Sequence, residues 1–277
     1  MLAATEFASR VTTQKPNPTA HRIMRPNVRA FVDAAARSFH LRGPIYEFGS
    51  YLVEGQDGLG DLRDLFNGQP YIGCDMRNGP GVDQVVDLAA LPLADDTART
   101  IICVDTLEHV FEVSQAVREM IRVLQPGGVL LISVPMNFRV HAYPDDYWRL
   151  TPSCLARLLT PLEASLIGSQ GVESHPHTVF GIACKGPIAA EFPGAANRFL
   201  SAFQEQAAEL AAEVPWMRRA TNHLRGLFCG KGERRERREF HQTRFVVNFP
   251  RAAACQSGPI SDSTPPGKTG TRLDLME

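Results

Sequence analysis

Residues 136 to 151 crowd His141, Tyr143, Asp145, Tyr147, Trp148 and Arg149 into one short run. An imidazole titrates near neutrality and can take a proton from a reacting group, which makes His141 the candidate base. Tyr143 and Asp145 beside it can orient an acceptor, and the rings of Tyr147 and Trp148 can wall off water. The alternative for the two rings is to plug a sheet edge while Arg149 pairs with an acid. A second imidazole, His109, follows Glu108 in the segment DTLEHV. It is a weaker candidate base, because Glu-His at a helix start is equally explained by the helix dipole. Carboxylates recur in a pattern of their own. Glu47, Asp75, Asp87 and Asp105 each close a short apolar run, in IYEFGS, YIGCD, VVDL and IICVD. Acids at the carboxyl ends of parallel strands can read a ligand that carries hydroxyls and ring nitrogens. No residue is assigned to a metal.

These groups need a scaffold, and the pattern between residues 44 and 185 supplies one. Strand and helix signals alternate there, as in a parallel sheet covered by helices. Strands are predicted near 44 to 48, 70 to 75, 84 to 87, 100 to 105, 128 to 134, 164 to 169 and 178 to 184. Between the fourth and fifth, Val113, Ala116, Val117, Met120, Ile121 and Leu124 form one helical stripe, which Pro126 and Gly127 of an LQPGG turn end. Thr151 and Pro152 suit the cap and first turn of a further helix that buries Leu155, Leu158, Leu159 and Leu162. Flanking helices are predicted over residues 26 to 39, from Val28, Phe31, Val32, Ala35 and Phe39, and near 195 to 213, from Phe199, Phe203, Ala207, Leu210 and Val214.

Composition bounds the function. A chain of 277 residues, 44% hydrophobic, can bury one large core and a smaller appendage. A formal net charge of −1 gives no global pull toward nucleic acid or an anionic membrane. Glu6 and Arg10 interrupt what a secretory signal would keep apolar, and no run reaches the roughly 20 apolar residues of a membrane span. Six cysteines without a CxxC pair fit a reducing cytoplasm.

The acid-ended strands, the Pro-Gly-Gly turn before the fifth strand and the His, Tyr-Pro, Asp-Tyr-Trp-Arg run together resemble the class I, Rossmann-like S-adenosylmethionine-dependent methyltransferases, of the small-molecule type. The resemblance covers about half of the chain. It implies an α/β fold with a doubly wound, seven-stranded, mostly parallel sheet and an antiparallel last strand, here with helical additions at both ends. It implies S-adenosylmethionine as cofactor and methyl transfer to an oxygen, nitrogen or carbon atom of a small-molecule or saccharide- or lipid-linked acceptor. Glu47, Gly49 and Ser50 fall on the family's first cofactor motif, where the glycine lets backbone approach the ligand and the acid meets its charged amino acid moiety. The chain departs from the family here, since Ser50, Tyr51 and Leu52 replace the dense glycine repeat and glycines return only at Gly55, Gly58 and Gly60. Asp75 would accept the ribose hydroxyls and Met76 would pack on the adenine. Asp75 lies 28 residues beyond Glu47, against about 20 in the dinucleotide fingerprint, and a longer first loop, its helix opening near Asp57, absorbs the difference. Asp87 would meet the adenine amino group, with Leu88 beside it, and Asp105 frames the pocket.

Four segments follow from this reading: an arm and helix over 1–43, the cofactor-binding core over 44–186, a helical and basic extension over 187–250, and a tail over 251–277 whose Ser, Pro and Gly content predicts disorder. The basic stretch over 218–244 has two readings, phosphate binding on RNA, a nucleotide-linked sugar or a lipid head group, or a solvated helix with intrahelical ion pairs. Two other functions stand beside methyl transfer. One is a non-catalytic cofactor-binding or scaffolding protein. The other is a nicotinamide-dependent oxidoreductase, against which no GxGxxG follows the first strand.

Overall fold

The computed structural model describes residues 25–53, 59–141, 145–187, 191–212, 242–248 and 271–272. Helix α1 (Pro26–Ser38) opens on a proline suited to its first turn and buries Val28, Phe31, Val32 and Ala35. Seven strands follow where apolar runs predict them: β1 (Ile45–Phe48), β2 (Tyr71–Asp75), β3 (Gln84–Val85), β4 (Ala98–Val104), β5 (Leu124–Pro135), β6 (Ala164–Gln170) and β7 (Thr178–Cys184). Helix α2 (Val113–Val123) precedes β5, α3 (Pro152–Leu158) precedes β6, and α4 (Phe192–Ala212) follows β7. The Thr151 hydroxyl caps α3 by accepting the Cys154 N–H at 3.1 Å.

The strands from β3 through β2, β1 and β4 to β5 pair in parallel. β7 then inserts antiparallel between β5 and β6. β3 is shorter than predicted because Asp87 turns the chain, its carboxylate accepting the Ala89 N–H at 2.8 Å. β5 is longer than predicted. α2 ends at Val123, and the LQPGG segment joins the sheet, Leu124 pairing with Ala98 and the Gly127 N–H donating to the Lys185 carbonyl at 2.7 Å. The start expected near Asp57 for the first covering helix lies outside the described residues, and a single 3-10 turn (Arg63–Phe66) follows it.

The count of seven strands is corrected upward. Thr243–Asn248 forms β8, antiparallel to β6, and a two-residue β9 (Thr271–Arg272) pairs with β8. The cause is packing: the Phe245 ring lies where a Cβ on Gly168 of β6 would come within 2.1 Å, so the missing side chain makes room for it. Apart from β9, the tail predicted to be disordered lies outside the described residues, as does the basic stretch up to residue 241.

Two apolar layers cover the sheet. One joins α1 and α4 through Phe31, Phe180, Phe199, Phe203 and Phe245, with Phe31 stacked on Phe180 at 4.7 Å. The other packs α2 and α3 through Val117, Met120, Leu130, Ile132 and Leu155. Alternation along β1 sends Ile45 to the first layer and Tyr46 and Phe48 to the second. No helix among the described residues is long and apolar enough to cross a membrane.

Candidate active site

The carboxyl ends of the parallel strands open on a cavity of about 810 Å³. Its floor begins at the turn after β1. Gly49 has φ of +91°, and a Cβ there would meet the Thr106 hydroxyl at 2.0 Å, so only glycine fits. Beyond it, Tyr51 carries the Arg77 guanidinium over its ring at 4.2 Å. Arg77 also holds Asp75, its backbone N–H donating to Oδ1 at 2.9 Å and its Nε at 3.3 Å. Asp75, Met76, Asp87 and Leu88 follow along the wall at the ends of β2 and β3.

Glu47 and Ser50 do not stand on that wall. Glu47 shares the face of Ile45, is 3% exposed, and accepts the Tyr71 hydroxyl at 2.8 Å. Burial pushes its carboxyl up to about 7, against the lowering effects of Tyr71 and Arg63. Ser50 is buried below the turn, where a Cβ on Gly73 would come within 2.8 Å of its hydroxyl. Asp105 reaches the cavity, with a backbone φ of +47° and its carboxylate gripped by Arg25. Arg25 donates from Nη2 to Oδ1 at 2.7 Å and from Nε to Oδ2 at 3.2 Å, and Ser133 adds a third donor at 3.1 Å.

The opposite wall is built from the segments after β4 and β5, which adjacency in the sheet brings together. The Glu108 carbonyl accepts the backbone N–H groups of Tyr147 at 2.7 Å and Trp148 at 3.3 Å, and the Trp148 indole donates to the Phe111 carbonyl at 3.1 Å. Phe111, Tyr147 and Trp148 form an exposed aromatic rim, with Phe111 and Tyr147 edge-on at 5.3 Å. The rings therefore do not plug the sheet edge. Arg149 does pair with an acid: its guanidinium grips Asp146 at 2.5 and 2.7 Å and holds that carboxyl well below the usual range.

His109 and Asp145 line the cavity. His141 stands behind them, its ring edge-on to His109 at 4.9 Å and its Nδ1 2.9 Å from Asp146. Tyr143 lies outside the described residues. Arg25, Tyr51, Arg77 and Asp146 carry weight that the sequence reading does not assign. Tyr51 and Arg77 could have been found as the residues just past two acid-ended strands. Nothing in sequence joins Arg25 to an acid 80 positions on.

Residues 72–132, which run from β2 into β5, match the family model of a methyltransferase domain. In this stretch the chain is similar to a methyltransferase domain. The resemblance read from the sequence implies S-adenosylmethionine as cofactor, and the residues present fit it: a turn that only glycine can make, then acids at successive strand ends along one wall of a cavity. A protein of Mycolicibacterium smegmatis named "Probable S-adenosylmethionine-dependent methyltransferase" is 38% identical over 65 residues, which are 24% of this chain and 23% of that protein. The chain thus matches about a quarter of its relative's length. Among solved structures, an S-adenosylmethionine-dependent methyltransferase from Mesorhizobium loti superposes with a TM-score of 0.42 at 15% identity, over 57% of this chain and 98% of that one. The 1,6-didemethyltoxoflavin-N1-methyltransferase of Burkholderia thailandensis, crystallised with 1,6-didemethyltoxoflavin and S-adenosylhomocysteine, gives 0.41 at 20% identity, over 56% and 78%.

Proposed function

We propose that this chain transfers a methyl group from S-adenosylmethionine to an oxygen, nitrogen or carbon atom of a small acceptor, free or linked to a saccharide or lipid. The observation that carries the reading is that a single cavity joins the acid-ended strands to a polar and aromatic wall. The bound cofactor supplies a methyl group already activated by its sulfonium centre. In this reading Asp75 accepts the ribose hydroxyls, Asp87 meets the adenine amino group, and Met76 and Leu88 cover the ring. Gly49 lets backbone approach the amino acid end, while Glu47 and Ser50 support that turn from below and Asp105 holds the floor. The protein's remaining task is to fix the acceptor in line and remove its proton where it carries one. The aromatic rim positions the acceptor, Asp145 and Tyr143 orient it, and His109 receives the proton with His141 behind it. Residues 44–186 then form the catalytic core, with 1–43 and 187–250 as additions and 251–277 as a tail. A reducing cytoplasm suits the four described cysteines, all free.

Calorimetric titration with S-adenosylmethionine and with NADH tests the cofactor, and NADH binding alone overturns the reading. A panel of candidate acceptors incubated with methyl-labelled cofactor, followed by mass analysis, tests transfer. Label in a product is the expected result. Tight cofactor binding with no labelled product across hydroxyl, amine and carbon acceptors favours the non-catalytic alternative.

A further inference from the structure

Glu108, His109 and His141 bring one ligand-capable atom each to within 4.8 Å of one another. Glu108 Oε1 lies 3.6 Å from His109 Nε2 and 3.9 Å from His141 Nε2. Zinc bonds its nitrogen and oxygen ligands at about 2.1 Å, which sets tetrahedral neighbours about 3.4 Å apart. The two contacts to Glu108 are therefore within a few tenths of an ångström of a metal site, and the two imidazoles, held within 4.8 Å of each other, have at most about 1.4 Å to close.

The far side of each ring supports the same assignment. His109 Nδ1 faces the Asp145 carbonyl at 2.5 Å, and His141 Nδ1 faces the Asp146 carboxylate at 2.9 Å and the Arg139 carbonyl at 3.1 Å. Carbonyls and carboxylates only accept, so each Nδ1 carries the hydrogen, and in the neutral ring each Nε2 presents a lone pair toward Glu108. Imidazoles whose outer nitrogen is tied to a carboxylate or carbonyl are the usual arrangement around a protein-bound metal. Arg149 fixes Asp146 with two hydrogen bonds, so the outer support of His141 is itself anchored. Glu108 is 1% exposed, and of the three groups only His109 reaches the cavity.

We propose that Glu108, His109 and His141 bind one divalent transition-metal cation of the zinc class, with an open coordination position facing the cavity. Two histidines and one carboxylate suit such an ion and leave a place for water or substrate. On the methyl-transfer reading, that place takes a hydroxyl oxygen of the acceptor and lowers its affinity for its proton, which passes to water in the cavity and leaves the oxygen a lone pair for the methyl group. With a cation on its Nε2, His109 no longer serves as proton acceptor, so metal loading exchanges base catalysis for Lewis-acid activation.

The test is calorimetry of the chelator-treated full chain with Zn²⁺, alongside the visible absorption of the Co²⁺-loaded protein. Expected are one equivalent bound, an intense spectrum of a four- or five-coordinate ion, and affinity reduced about 100-fold in His109→Ala and in His141→Ala. Asp146→Asn should cost about 10-fold, the size of effect that an outer partner of a metal-bound histidine carries. His40→Ala, remote from the cluster, should change nothing. No stoichiometric binding, a weak six-coordinate cobalt spectrum, or affinity unchanged in both histidine variants overturns the proposal. The cobalt spectrum of the unaltered protein decides the matter even where a variant fails to fold. S-Adenosylmethionine binding is titrated in the same metal-free protein, so loss of the metal site and loss of the transfer reading give separate results.

Discussion

Burial holds the Glu47 carboxyl at about 7, against an ordinary value of 4.5. Between those values the native state keeps a proton that the unfolded chain has lost. The stability this proton brings is therefore complete below 4.5 and disappears as pH rises through about 7. The loss amounts to at most about 3 kcal/mol, at roughly 1.4 kcal/mol per pH unit. Glu47→Gln retains an acceptor for the Tyr71 hydroxyl and has no carboxyl to ionise. Urea midpoints at about pH 5 and pH 8 should differ in the natural chain and converge in the variant; an equal slope in both removes Glu47 as the cause. Asp75 belongs to the cavity instead. Asp75→Ala should weaken S-adenosylmethionine about 10- to 100-fold, the worth of a charge-assisted hydrogen bond, with unaltered circular dichroism. An unchanged dissociation constant refutes its ribose assignment. Asp75 is the last residue of β2 and Glu47 the last but one of β1, and sequence marks both equally well as acids at a strand's carboxyl end. What separates them is parity. Glu47 lies two places from Ile45 and so shares its buried face, and which face of β1 is turned away from the cavity shows only in the folded sheet.

Arg25 closes the N-terminal end of α1 onto the site. It reaches Asp105 at the end of β4 and the Thr178 hydroxyl at the start of β7, where it donates at 2.7 Å. Arg25→Ala should lower stability by about 2 kcal/mol, less than the 3–5 of a fully buried broken pair because both partners keep some contact with solvent. Chemical denaturation measures it, and a loss under about 0.5 kcal/mol means that the clamp contributes no more than an ordinary surface pair. Regular elements were the legible part of this chain, since helical spacing and apolar runs are local signals. Both flanking helices lie close to their predicted bounds, although no local signal shows that they pack on each other through Phe31 and Phe199. The Phe245-Val246-Val247 run reads as a short apolar piece that packs or pairs nearby. Its actual partner, β6, lies some 80 residues earlier, and the reason for the pairing is a space above Gly168 that only the folded sheet reveals. The Glu108, His109 and His141 grouping was hidden in the same way. Each part was visible as a polar residue past a strand, but their meeting depends on β4 and β5 being neighbours.

Across the whole molecule, the phenylalanine layer and the cavity occupy different parts of the sheet. Phe245 packs among Phe180, Phe199 and Phe203, and none of the four lines the cavity. Phe245→Ala should cost about 3 kcal/mol of stability, as large-to-small changes in a packed core do, while S-adenosylmethionine affinity in the folded protein stays within about twofold. Thermal unfolding with and without cofactor checks both halves, and a large fall in affinity shows that the added strand supports the site after all. The stitching of the Glu108 carbonyl to Tyr147 and Trp148, and of the Trp148 indole to Phe111, bears on how such a protein can be altered. Any graft meant to change which molecule is accepted has to carry residues 105–112 and 136–150 together. Exchanged alone, either stretch would face a seam cut for its former neighbour. The two segments are distant in the gene and yet form one inheritable cassette, so recombination between relatives at a point inside α2 would be expected to separate what selection must keep joined.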